Sequence, residues 1–164
     1  MKSIIVYYSF TGNTKAVSEI LSEYLKEKGQ VETIELKDLN ENGRFFSQAA
    51  KAFRHKRAEI DSVNFELKDY DLICLGTPVW VFACAPAINT YLDKCFGLEG
   101  KDVVLFTTYG SGTGNERCLN YMQGLLAKKG AKSFRRFSIQ QIKVGDKEFV
   151  LSKIKETMRL WPNG

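Results

Sequence analysis

Short apolar runs alternate along this chain with segments whose apolar residues recur every three or four positions. SIIV (Ser3 to Val6) is the first run, and after a polar loop Val17, Ile20, Leu21, Tyr24 and Leu25 fall on one helical face that ends at Gly29. VETIEL (Val31 to Leu36) is β-branched but heavily charged, as an edge strand can be. Phe46, Ala49, Ala50 and Phe53 then mark an amphipathic helix within residues 38–62. DLICLG (Asp71 to Gly76) and DVVLFTT (Asp102 to Thr108) are two further apolar strands. Between them Pro86 opens a helix with Ile88, Tyr91, Leu92, Cys95 and Phe96 on one face. Asn115 is placed to cap a helix carrying Cys118, Leu119, Met122, Leu125 and Leu126, which stops at Gly130. A last strand spans Ser133 to Ile139 with two arginines, and a closing helix starts near Asp146 and uses Val150, Ile154, Met158 and Trp161.

Strand and helix thus alternate five times, which predicts an α/β fold: a doubly wound, five-stranded parallel sheet with helices on both faces. The first, third and fourth strands are nearly continuous apolar runs and suit burial on both sides, whereas the second and fifth are charged and suit edges. Strand order 2-1-3-4-5 satisfies this, as do other orders with the same edges. With 164 residues, 44% of them hydrophobic, and three prolines, one domain over residues 1–164 is expected. The opening MKSIIVYYS is broken by Ser9 to Asn13 before a signal peptide's apolar region is complete, and no later run approaches a membrane span. A cytoplasmic location is the expectation. The four cysteines lack C-x-x-C spacing and read as small hydrophobes, although Cys84 sits in a loop with other candidate chemistry.

Charge is unevenly distributed. Residues 101–164 hold 12 of the 24 lysines and arginines but 5 of the 19 acidic residues, and RHKR (Arg54 to Arg57) is a second basic cluster. Without an interleaved aromatic platform these runs predict no nucleic-acid binding; they suit an acidic protein partner or an anionic substrate.

In such a sheet, ligands bind beyond the carboxyl ends of the strands where the winding reverses, between the first and third strands. Three loops should meet there: Ser9 to Thr14, Thr77 to Ala85, and Thr107 to Asn115. The first offers the hydroxyls of Ser9, Thr11 and Thr14, while Gly12 and Asn13 tolerate the positive φ that turns successive N–H groups inward at a helix start. A phosphate could be held there without a cationic side chain, and the same residues also suit an ordinary capped strand-to-helix turn. SFTGNTK lacks the second glycine and Gly-Lys pair of a nucleoside triphosphate loop, and the pair Gly110 and Gly112 follows the fourth strand rather than the first. Trp80 and Tyr109, at the ends of adjacent strands, could face one another across a flat conjugated ring.

With SFTGNT, GTPVW and TTYGSGTG in these positions, the chain resembles the flavodoxin family over its whole length, its short-chain branch in particular. The resemblance implies a three-layer sandwich that binds FMN at the switch point. It implies that Ser9, Thr11, Gly12, Asn13 and Thr14 hold the phosphate, and that Thr77, Pro78, Trp80, Tyr109, Gly110 and Gly112 line the ring. Val79, Val81 and Thr108 in the same loops complete the cofactor-binding set, with no separate catalytic residue and no metal. Electron-carrying members commonly place a glycine after the second-loop aromatic, whose peptide can turn to meet the reduced flavin N5; here Val81 and Phe82 follow Trp80, and a β-branched residue resists that turn. Carriers are also acidic around the flavin, unlike this basic C-terminal third. The segment from Phe45 to Ile60 resembles an extension seen in some flavodoxin-like proteins. Two functions follow from the resemblance. One is an electron carrier that uses FMN and a redox partner protein. The other is an NAD(P)H-dependent quinone or flavin reductase that uses a nicotinamide cofactor. A phosphate-accepting signalling receiver would need acidic residues where Tyr8, Ser9, Gly76 and Thr77 stand.

Overall fold

The computed structural model describes residues 1–39, 57–110 and 112–159. The helix expected around Phe46 to Phe53, the basic residues Arg54 to Lys56, Ser111 and Trp161 lie outside the described residues. So does most of the Phe45 to Ile60 segment.

β1 (Lys2–Tyr8) leads into α1 (Asn13–Lys26), and β2 (Gln30–Leu36) follows. β3 (Leu72–Trp80) and β4 (Ala83–Cys84) precede α2 (Pro86–Lys94). β5 (Asp102–Tyr109), α3 (Asn115–Lys128), β6 (Ser133–Gln140), a short 3₁₀ turn (Gln141–Lys143) and α4 (Lys147–Arg159) complete the described chain. The sheet order is β2-β1-β3-β5-β6, with every neighbouring pair parallel and β4 antiparallel on β3. Counting only the long strands, this is the predicted 2-1-3-4-5 order. The two charged strands occupy the edges because their charged and partly exposed residues could not be covered on both faces.

Side chains alternate across each central strand, and this divides the core in two. Ile4, Val6, Ile73, Leu75, Val103 and Leu105 face Ile88, Tyr91 and Leu92 of α2 and Leu119, Met122 and Leu126 of α3. Ile5, Tyr7, Leu72, Cys74, Val104 and Phe106 face Val17, Leu21 and Leu25 of α1 and Val150 and Ile154 of α4. Gly76 lets two strands share one ring: a Cβ there would lie 2.1 Å from the Phe106 side chain, which stacks on Phe137 at 5.5 Å. From Arg57 to Asp71 the described chain has no helix. It is pinned by bridges of Asp38 with Ile60 and Glu66 with Phe96, and by a two-pronged ion pair in which Arg57 donates to Asp93 at 2.5 and 2.8 Å.

Two local features depart from the sequence expectation. The third strand does not stop at Gly76. It continues through Trp80, then turns back through Val81 and Phe82 so that Val79 pairs with Cys84 and Trp80 with Ala83. Thr77 fixes this hairpin: its buried hydroxyl accepts a bond from the Ala85 N–H and donates to the Pro78 carbonyl, both at 3.0 Å. The helix after β5 begins with Asn115 as its first helical residue, and Gly114, at φ 94°, takes the cap position. Gly114 is also required by contact, since a Cβ there would lie 2.6 Å from the Phe82 ring. The hairpin tip is therefore seated on the start of α3.

Candidate functional site

At the carboxyl ends of β1, β3 and β5 lies a cleft of about 310 Å³ lined by Phe10, Thr11, Asn13, Thr14, Pro78, Val79, Trp80, Val81, Thr108, Tyr109, Gly110 and Gln141. It lies at the reversal of winding between β1 and β3, where strands diverge to opposite faces and leave a crevice. Among the described residues its lining contains no charged side chain.

One end is the loop from β1 to α1. Gly12 caps the helix in the left-handed conformation, φ 86°, and nothing lies within 4 Å of where its Cβ would be. Such a conformation at a helix start turns successive N–H groups toward one point. Helix geometry leaves the N–H groups of Asn13 and Thr14 without an acceptor inside the helix, while that of Lys15 donates to Ser9 Oγ at 3.2 Å. Asn13 Nδ2 donates to Thr11 Oγ1 at 3.2 Å, which steadies the loop. Lys15 is drawn away to Glu35 on β2, its Nζ 3.4 Å from the carboxylate. What remains is a small, uncharged concavity of main-chain donors and hydroxyls at the positive end of a helix dipole, suited to an anion.

The other end is aromatic. Trp80 is 5% exposed, its ring held edge-on by Tyr8 at 5.6 Å and Phe10 at 5.5 Å, so it forms the rooted base of one wall. Tyr109, half-buried at the end of β5, stands on the neighbouring loop, and Gln140 Nε2 braces that loop by donating to the Gly110 carbonyl at 3.3 Å. Thr14 and Thr108 join the two ends through a buried hydroxyl pair at 2.8 Å. Val81 and Phe82, at φ 47° and 66°, form the exposed rim. Both residues occupy the left-handed region, and Thr77 below and Gly114 opposite hold the hairpin closed.

Of the fourteen residues singled out from the sequence, Thr11, Asn13, Thr14, Pro78, Val79, Trp80, Val81, Thr108, Tyr109 and Gly110 line the one cleft. Ser9, Gly12 and Thr77 stand behind it and shape it through the bonds and backbone conformation just described. Gly112 is not among the lining residues, and nothing lies within 4 Å of its would-be Cβ. Phe10 and Gln141 were not anticipated. Phe10 sits inside the loop from β1 to α1, and Gln141 follows the last strand, at the same carboxyl edge as the other cleft-lining loops.

Residues 2–132 match the family model described as Flavodoxin. The chain belongs to the flavodoxin family. A curated relative, NAD(P)H dehydrogenase (quinone) 3 of Rhizobium meliloti (strain 1021), is 28% identical over 121 residues, which is 70% of this chain. The alignment spans 56% of that relative, so this flavodoxin-family chain covers only about half its length. Among solved structures, a flavoprotein in complex with FMN from Lactobacillus acidophilus NCFM is 24% identical, with 90% of this chain and 98% of that one covered and a TM-score of 0.68. Oxidised Flavodoxin 1 from Bacillus cereus is 17% identical over 99% of this chain and 100% of its own, with a TM-score of 0.67. These likenesses extend the flavodoxin fold beyond the matched residues to α4. Among the described residues no helix is long and apolar enough to cross a membrane.

Proposed function

We propose that the protein binds FMN non-covalently in this cleft and transfers electrons through it. The reading is carried by one observation: an uncharged helix-start cradle and the aromatic residues Phe10, Trp80 and Tyr109 line the same cleft at the switch point of the sheet. The cradle fits a phosphate dianion, because N–H groups and hydroxyls can donate to its oxygens and the helix dipole offsets its charge. The walls fit a flat conjugated ring, for which aromatic contact contributes about 0.5–1.5 kcal/mol beyond area burial. Bound there, FMN would supply one- or two-electron chemistry at its ring.

The chain's own part is to bind, orient and shield. Asn13, Thr14 and Thr11 would hold the phosphate. Val79, Trp80 and Val81 on one side and Tyr109 with Gly110 on the other would confine the ring, and Gln141 could donate to or accept from its polar edge. Among the described residues the lining holds no Asp, Glu, His, Lys or Cys, and carriage of electrons through FMN requires none. The partner would be a redox protein, and the basic C-terminal third suits an acidic one.

The likeness to an NAD(P)H dehydrogenase favours a second reading, a reductase that takes hydride directly from a nicotinamide cofactor. Two experiments separate these readings from each other and from failure. Purified protein should be yellow, or should take up FMN with measurable heat; a folded preparation that stays colourless and silent on titration would overturn the cofactor assignment. Anaerobic mixing of the loaded protein with NADH or NADPH should leave the flavin oxidised if the protein is a carrier, and bleach it rapidly if it is a reductase.

A further inference from the structure

Cys84 and Cys118 face each other inside the layer beneath the hairpin, their sulfur atoms 2.7 Å apart. Both are wholly buried, and both are free thiols. They come from positions 34 residues apart in sequence. Cys84 ends β4, directly across the hairpin from Val79 in the cleft wall. Cys118 lies in the first turn of α3, its N–H donating to the Gly114 carbonyl at 3.1 Å. Phe82 seated on Gly114 holds the two elements together, so the thiols are paired by the fold rather than by chance mobility. A disulfide bond is about 2.05 Å long, and the sulfurs need little travel to form one. The remaining cysteines are differently placed: Cys74 packs in the core on the opposite face of the sheet, and the Cys95 thiol donates to the Leu92 carbonyl at 3.6 Å.

We propose that Cys84 and Cys118 are a redox-active dithiol that a hydroperoxide-class oxidant closes to a disulfide, locking the hairpin wall of the cleft to α3. The sulfur of one thiol attacks a peroxide oxygen; the O–O bond breaks, and the departing oxygen leaves as water with the thiol proton. The sulfur of the second thiol then attacks the S–OH sulfur; the S–O bond breaks and a second water leaves with the second proton. Two thiols lose two electrons, and hydrogen peroxide becomes two waters.

Burial selects the oxidant. The apolar surroundings push the Cys84 thiol well above its ordinary range, with the Cys118 thiol a second contributor, so little thiolate is available and closure is slow. A bulky disulfide reagent cannot align with either sulfur at zero exposure, whereas hydrogen peroxide is small and uncharged. Once formed, the bond joins the strand pair that carries Val79 and Trp80 to the helix packed behind it, leaving the rim less free to open.

Counting thiols on the full-length folded protein tests this without reference to flavin, so its failure is separable from failure of the cofactor reading. Protein exposed to hydrogen peroxide is quenched with catalase, unfolded in guanidinium with an alkylating reagent, and weighed. The four alkylatable thiols should fall to two, with no added oxygen, with a peptide pair linking Cys84 to Cys118, and with all four recovered when dithiothreitol is added during unfolding. Cys118→Ser should keep all three of its thiols or gain oxygen on Cys84. Four thiols retained after prolonged exposure to a large excess of peroxide, long past the oxidation of glutathione in the same tube, would overturn the proposal, as would a bridge involving Cys74 or Cys95.

Discussion

The hydroxyls of Thr14 and Thr108 meet at 2.8 Å in the buried seam between α1 and β5. Thr14 belongs to the helix-start loop and Thr108 precedes the aromatic Tyr109, so this bond ties the helix-start end of the cleft to its aromatic end. Removing one partner leaves the other buried and unsatisfied, at about 1–3 kcal/mol, while replacing both with an apolar group of the same shape is nearly neutral. Thr14→Val and Thr108→Val should each lower the denaturant midpoint, and the double variant should recover most of the loss. Additive losses in the unfolding curves would show that the bond is not the link.

Gly12 meets nothing at its Cβ, so a substitution there acts through backbone conformation and the space a ligand would fill. At φ 86° a valine costs about 1–2 kcal/mol. Gly12→Val should weaken FMN binding at least tenfold, measured by calorimetry, and weaken riboflavin binding far less, because riboflavin has no phosphate to seat. Equal losses for both ligands would remove the cradle from the phosphate.

Val81 holds a conformation that β-branched residues avoid, at φ 47°. Its side chain is 45% exposed, so little packing is lost when it changes. Val81→Asn should stabilise the protein by about 1 kcal/mol, because asparagine tolerates the left-handed region and suits such hairpin turns. In a chain of this size the melting temperature should rise by about 2–4 °C. An unchanged or lower melting temperature would mean that the turn is not strained.

The bond from Arg57 holds the Asp93 carboxyl below its usual range. A lowered folded-state value means that this pair contributes stability above the unfolded aspartate value of about 3.9, and loses it as pH falls through the folded value. Both side chains are about two-fifths exposed, so the contribution is at most about 1 kcal/mol. Asp93→Asn should therefore be less stable than the wild type at neutral pH, with the gap closing in acid. A gap that persists below pH ~2 would point to packing rather than charge.

Much of this architecture could be read from residue patterns because burial leaves a direct trace. The apolar runs of β1, β3 and β5 and the charged alternation of β2 and β6 separate centre from edge, and that alone narrows the order of strands. The loop from β1 to α1 could be picked out because Ser9, Thr11, Gly12, Asn13 and Thr14 cluster directly after a strand, although the same types also suit an ordinary capped turn. The hairpin was not legible. Thr77 and Pro78 look like a strand's end, since proline donates nothing to a ladder, and Val81 with Phe82 carries none of the glycine or asparagine that usually marks a two-residue turn. Tertiary support from Thr77 and Gly114 takes the place of local preference. Gln141 was missed for a different reason. A polar residue after a polar edge strand carries no periodic signal, and only its position at the carboxyl edge of the sheet brings it to the cleft.

The uncharged lining that the described residues give the cleft would separate two properties of the proposed FMN carrier. A chain of net charge +5 meets partners through surface fields that fade over about 8 Å at physiological ionic strength. Retention of a coenzyme by main-chain donors at contact distance depends much less on those fields. Added electrolyte should thus slow the encounter with an acidic protein while the prosthetic group stays in place, which allows delivery and storage of electrons to be studied one at a time.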